Sequence, residues 1–69
     1  MIAKFKELQV VKTIKAFENI PTGTIGTILF IHNHELEIAY EVEFIDHLNR
    51  FYETIAVPES FLNHYMQNN

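Results

Sequence analysis

The stretch Ile-Pro-Thr-Gly-Thr-Ile-Gly-Thr-Ile-Leu-Phe-Ile over residues 20–31 constrains the fold most, because it joins a turn to a strand that is apolar on both faces. Pro21 fixes φ and Gly23 is free to take φ > 0, the pairing that a tight reversal needs. A strand is expected over residues 24–32, with Ile25, Thr27, Leu29 and Ile31 on one side and Gly26, Ile28 and Phe30 on the other. Gly26 leaves room there for a neighbouring side chain or backbone. Two glycines in this stretch do not make a phosphate cradle, since the third glycine and long helix of a dinucleotide fingerprint and the lysine of a phosphate-binding loop are missing.

Residues 38–45, Ile-Ala-Tyr-Glu-Val-Glu-Phe-Ile, alternate most clearly: Tyr40, Val42 and Phe44 point one way, Glu41 and Glu43 the other. An antiparallel strand with one buried face reads like this. Residues 8–14 supply an earlier strand; helical spacing over residues 2–11 competes, but the β-branched density from Val10 onward favours the strand. Residues 33–37 are a polar hairpin connection and residues 46–49 a second turn. Residues 50–57 form a further strand pairing back on the third. Its facing is open, with Phe51, Ile55 and Val57 in one set and Tyr52, Thr54 and Ala56 in the other, so a bulge or two partly covered faces are needed. Residues 58–65 begin with proline and glutamate, both favoured at a helix start, and predict a helical turn whose Phe61, Leu62 and Tyr65 plug an open end of the sheet. Residues 66–69 are expected to fray.

Short strands joined by tight connections, in a chain of 69 residues, predict a single all-β domain spanning residues 1–69. The economical form is a small SH3-like, partly open barrel of four to five strands with a short C-terminal helical turn, because a flat sheet of this size leaves an apolar face wet. The size lies near the lower limit for a core that offsets conformational entropy unaided. There is no cysteine to add a disulfide, which also fits a reducing cytoplasm, and 48% hydrophobic content with six phenylalanines argues against disorder. The first residues lack a secretory pattern and no apolar run approaches membrane-spanning length, so a cytoplasmic location with no membrane partner is expected.

Nine carboxylates face five basic side chains, and the bases cluster early, at Lys4, Lys6, Lys12 and Lys15, with Arg50 alone downstream. Beyond residue 15 the ionised groups are almost all acidic, which repels phosphate backbones and favours basic surfaces, so direct nucleic-acid binding is not expected. Ser60 is the only serine and sits in the terminal turn, and a barrel this small has little interior for a pocket; no catalytic residue is assigned and the chain reads as a non-enzyme. His32 and His34, two apart and near Glu35 and Glu37, suggest a metal only if a third ligand joins them, so no metal or other cofactor is expected. His47 and His64 read as surface residues.

Glu41 and Glu43, joined across the sheet by Glu53 and ringed by Glu35, Glu37 and Asp46, would make an acidic stripe. Like charges two apart repel, so a basic partner explains them better than folding does, although an ordinary solvated face has the same pattern. Tyr40, Phe51, Tyr52 and Tyr65 are the aromatic candidates for an interaction surface, as a chain this short strains to bury all its rings.

The residues Ile20-Pro21, Thr24-Ile-Gly-Thr-Ile28, Ala39-Tyr-Glu-Val-Glu-Phe44 and Val57-Pro-Glu-Ser-Phe-Leu62, with the paired Val10-Val11, resemble a family of short bacterial proteins, the domain of unknown function numbered four-nine-two-six. The resemblance covers roughly residues 7–64, and the order and spacing of the motifs carry it. Thr22-Gly23-Thr24-Ile25 departs from the family's longer glycine-rich approach to the second strand. The resemblance implies an SH3-like barrel and, since such proteins are often encoded beside toxin-like proteins, an antitoxin or immunity role. The expected function is therefore neutralisation of a basic toxin, with a nuclease as one candidate, through Tyr40, Glu41, Glu43, Tyr52 and Glu53. The alternative is an SH3-like accessory domain that assembles with a larger enzyme or, as a homo-oligomer, with itself.

Overall fold

A computed structural model describes residues 2–65 of the chain. Five strands, β1 (Val10–Thr13), β2 (Ile25–Asn33), β3 (Ile38–Ile45), β4 (Phe51–Pro58) and β5 (Leu62–His64), form one open antiparallel sheet in the order β4-β3-β2-β1-β5. A 3-10 turn, Glu59–Phe61, separates β4 from β5 and carries the chain from one end of this order to the other. The result is the expected all-β, SH3-like partly open barrel. The fraying expected for 66–69 lies outside the described residues.

One face of the sheet curls around the core. Val11, Ile28, Ile38, Tyr40, Val42, Phe44, Val57 and Leu62 are buried on it, with Phe5 and Ile20 brought in from the loops. Burying each such side chain contributes about 1.5–3 kcal/mol, which offsets the entropy of ordering so short a chain. Thr13 is the buried polar member, and its hydroxyl is satisfied twice: it donates to the Pro21 carbonyl at 2.7 Å and accepts from the Thr24 amide at 3.0 Å. That pair clamps the turn before β2. Gly23 takes φ 86° there, as the turn requires. Gly26 pairs with Val11 on one side and Phe44 on the other, and an added Cβ would stand 2.8 Å from Phe44 Cδ1 and closer still to Val42 Cγ1.

Two bulges correct the simple alternation. The β2–β3 register shifts between Ile28 and Phe30, so Leu29 is the extra residue and the facing flips after it. Phe30, expected beside Ile28, is instead 55% exposed on the outer face, and Ile31 turns in against the core. The β3–β4 register shifts in the same way: Ile45 pairs with Phe51 and Phe44 with Glu53, leaving Tyr52 as the extra residue. Phe51 is thereby separated from Ile55 and Val57 and stands 65% exposed.

The C-terminal segment differs from the single helical turn expected over residues 58–65. Only Glu59–Phe61 winds, and the chain then extends as β5, which pairs with β1 from Val11 to Thr13. The physical reason is the edge that β1 offers: three ladder positions there outweigh one more turn of an unsupported helix. Leu62 plugs the core and Phe61 packs edge-on against Phe17, with ring centroids 5.0 Å apart, whereas Tyr65 does not plug and stays on the surface. β1 is shorter than expected at both ends: Leu8 takes φ 71°, out of extended geometry, although its amide still donates to the Ile28 carbonyl at 2.7 Å, and Ile14 lies beyond the strand.

Candidate functional site

Cross-strand partners share a face of a sheet, so the registers lay out the outer face side chain by side chain. Glu43 lies between Thr27 and Thr54, and Glu41 between Phe30 and Ala56. Ile45 lies between Ile25 and Phe51, and Val10 pairs with Thr27 at the far side. The two carboxylates therefore share the middle strand of a face whose other members are threonine, alanine and exposed apolar or aromatic groups. An open groove of about 500 Å³ runs beside them between Val10, Thr27, Ile45 and Tyr65. A second, of about 400 Å³, continues past Ile45 to Tyr52 and the Pro21 to Thr24 turn.

The two glutamates are not equivalent. Glu41 Oε1 meets His32 Nε2 at 3.2 Å, each side chain 34% exposed. The His32 ring is packed in turn between Phe30, centroid 5.1 Å away, and His34, stacked at 6.4 Å and nearly parallel. His32 and His34 do project to one side, as their spacing predicts, but among the described residues no set of three or more metal-capable side chains gathers. Glu43 is exposed and has neither ion pair nor hydrogen bond among the described residues. A carboxylate held without a partner between two threonines adds nothing to folding; its charge is free for another molecule.

Three expected residues stand elsewhere. Tyr40 is a core residue and cannot anchor a partner: it is fully buried, its hydroxyl donates to Glu59 Oε2 at 2.5 Å and accepts from the Phe5 amide at 3.1 Å. Glu59 Oε2 also accepts from the Lys4 amide at 2.9 Å, so the Tyr40–Glu59 pair staples the N-terminal segment over the barrel end. Burial, and then the bond to the Glu59 carboxylate, push the Tyr40 hydroxyl above its ordinary value, only partly opposed by the Phe5 amide. Glu53 does not extend the acidic stripe: Thr54 stands opposite Glu43, and Glu53 pairs with Phe44, on the core-facing side of β4 with Ile55 and Val57. Tyr52 is partly exposed but is tied by its hydroxyl to the Asn19 carbonyl at 2.6 Å.

Other carboxylates are occupied by the fold. Asp46 accepts from the amides of Leu48 and Arg50 through Oδ1 and from Arg50 Nε through Oδ2, closing the β3–β4 turn. The Arg50 amide first, opposed by desolvation and then aided by the Leu48 amide and the guanidinium, holds its carboxyl below the usual aspartate value. Asn49 takes φ 62° in that turn. Among the histidines, His47 is exposed as expected, whereas His64 is half-buried with its ring edge-on to Phe5 at 4.8 Å. Ser60 is exposed on the 3-10 turn, next to the Glu59 carboxylate that Tyr40 and Lys4 already engage.

Phe30 is the face residue that period counting misses, since only the bulge at Leu29 turns it outward. Phe51 and Tyr65 were legible as aromatic candidates and both remain exposed. No helix of the described residues is long and apolar enough to cross a membrane. No family model, curated protein or solved structure matches the chain.

Proposed function

We propose that this chain is a non-enzymatic protein-binding module that receives a basic protein on the outer face of β3, in the antitoxin or immunity role that its motif resemblance implies. The observation that carries the reading is Glu43, exposed and with no side-chain partner among the described residues, beside Glu41 on a face whose neighbours include Phe30, Phe51 and Tyr65. Exposed rings next to desolvatable carboxylates provide anchor and steering groups of the kind interfaces use. Small Thr27, Thr54 and Ala56 around the glutamates leave the carboxylates accessible.

The test is capture of a basic protein by this chain, with any basic product encoded beside it as the first candidate, before and after Glu41→Lys and Glu43→Lys together. The charge reversal is expected to slow association at low salt and to abolish relief of any growth inhibition by that protein on co-expression. Unchanged affinity and salt dependence in a folded double variant would overturn the assignment of this face.

A second reading, assembly with a larger enzyme or with itself, is favoured by the exposure of Phe30 and Phe51, which a monomer gains nothing by displaying. Light scattering across a concentration series separates the two, because self-assembly on those rings raises the mass of the isolated chain.

A further inference from the structure

β4 ends the sheet on one side, and its eight residues, Phe51–Pro58, pair with β3 alone. Among the described residues, no backbone group of residues 53–57 bonds to a loop; the nearest loop contact, from Tyr52 to Asn19, is made by a side chain. The amides and carbonyls of that stretch that face away from β3 have no backbone partner among the described residues, and Thr54 and Ala56 are exposed while Val57 is buried, so the edge from Glu53 to Ala56 is a template for another strand. Beyond the Tyr52 bulge and the inward-set Glu53 at its start, the stretch holds Thr54, Ile55, Ala56 and Val57, with no charge and no internal proline to block pairing.

The outer-face register decides what such a strand would carry. Thr54 is the cross-strand neighbour of Glu43 and Ala56 that of Glu41, and both are small and exposed. A strand added beyond β4 lies about 10 Å from β3, two strand spacings away. Long lysine or arginine stems spaced two residues apart on the added strand would cross over Thr54 and Ala56 toward Glu43 and Glu41. Bulky residues at 54 and 56 would close that path; threonine and alanine leave it open. A second copy of the same edge offers no cation to these glutamates, since Phe51–Pro58 contains none.

We infer that the free edge of β4 is the docking site of an extended partner segment bearing basic residues at every second position, main-chain pairing supplying affinity and Glu43 and Glu41 the choice of sequence. This rests on the acidic-face reading above and names how the partner meets it.

The probe is a short capped peptide alternating lysine with valine between threonine ends, compared with an isomer of identical composition whose lysines are contiguous. Both are titrated into the ¹⁵N-labelled chain, with amide exchange followed along β4. The alternating peptide is expected to bind at least about tenfold more tightly than its isomer, to slow exchange of every second amide within residues 53–57, and to lose its advantage in Glu43→Gln. Thr54→Lys, an exposed change that a well-dispersed spectrum would show to be folded, is expected to block it. Equal binding of the two peptides with β4 exchange unchanged would overturn the edge inference while leaving the acidic face standing. Binding of neither peptide at millimolar concentration, or β4 protection in the free chain accompanied by a dimeric mass, would overturn it as well. Capture of a basic protein before and after charge reversal at Glu41 and Glu43 tests the acidic face separately.

Discussion

Gly26→Ala tests how tightly β2 and β3 are pressed together. The new Cβ would lie well inside contact distance of Val42 Cγ1, 2.8 Å from Phe44 Cδ1 and 3.1 Å from the Glu43 carbonyl oxygen. The Val42 and Phe44 side chains are fully buried and the third contact is backbone, so none of the three has solvent to retreat into. Overpacking of this kind costs about 1–3 kcal/mol. Replacing glycine recovers about 0.5–1 kcal/mol of unfolded-state entropy, leaving a net loss of up to about 2.5 kcal/mol. For a domain of this size each kcal/mol moves Tm by about 4–8 °C, so thermal unfolding followed by circular dichroism should show a fall of up to about 20 °C. The control is Gly23→Ala, where nothing lies within 4 Å of the added carbon but φ is +86°. Its cost is purely conformational, about 1–2 kcal/mol, and Gly23→Asn should recover part of it, whereas Gly26→Asn should be worse than Gly26→Ala. In the double variant Gly26→Ala with Val42→Ala, the two losses should sum to more than the measured loss, since the second change removes the atom that clashes. An unchanged or raised Tm for Gly26→Ala would refute the packing argument, and strictly additive losses would refute the identity of the clashing partner.

Tyr40→Phe removes the bond to Glu59 and leaves the buried Phe5 amide without its acceptor, which should cost about 1–3 kcal/mol in urea unfolding. Because the folded-state value of the Tyr40 hydroxyl is raised above 10.0, its contribution is complete below pH 10 and is lost as pH rises through that higher value. Stability measured between neutral and strongly alkaline pH should therefore fall less steeply in Tyr40→Phe than in the unsubstituted chain. Asp46 behaves in the opposite sense: its carboxyl is held below 3.8, so its contribution is present above pH 3.8 and is lost as pH falls through the lowered value. Asp46→Asn should flatten the acid limb of the stability curve in that window alone. Glu43→Lys, by contrast, should leave stability within about 0.5 kcal/mol of the unsubstituted chain, as expected for a surface position away from any packed feature. The same substitution should slow association with a basic protein at low salt, measured by stopped flow.

Much of the fold is written locally. The alternation from Ile38 to Ile45 assigns Tyr40, Val42 and Phe44 to the core and Glu41 and Glu43 to the outside because side chains on a strand alternate with a period of two whatever surrounds them. Gly23 and Pro21 announce the reversal before β2 for an equally local reason, the backbone angles each residue permits. Tyr40 was legible as a core position and, as a ring beside carboxylates, as an interface candidate; only the packed barrel, which brings Phe5 and Glu59 from the two ends of the chain to its hydroxyl, decides for the core.

The bulges at Leu29 and Tyr52 are decided by tertiary structure alone. Each inserts one residue against a partner strand, so its position depends on how two distant segments fit, and each reverses the facing of the neighbouring residues on its strand. That is why Phe30 and Phe51 turn outward. The strand β5 belongs to the same class, since Leu62–His64 extends only because β1 presents an edge to it. From residue types and spacing come the first four strands, the turns between them and the two glutamates at the middle of the outer face; from long-range pairing come β5, the rings that border the glutamates and the open edge beside them. Local geometry decides which way a side chain points within a strand, and only the register between strands decides what stands next to it.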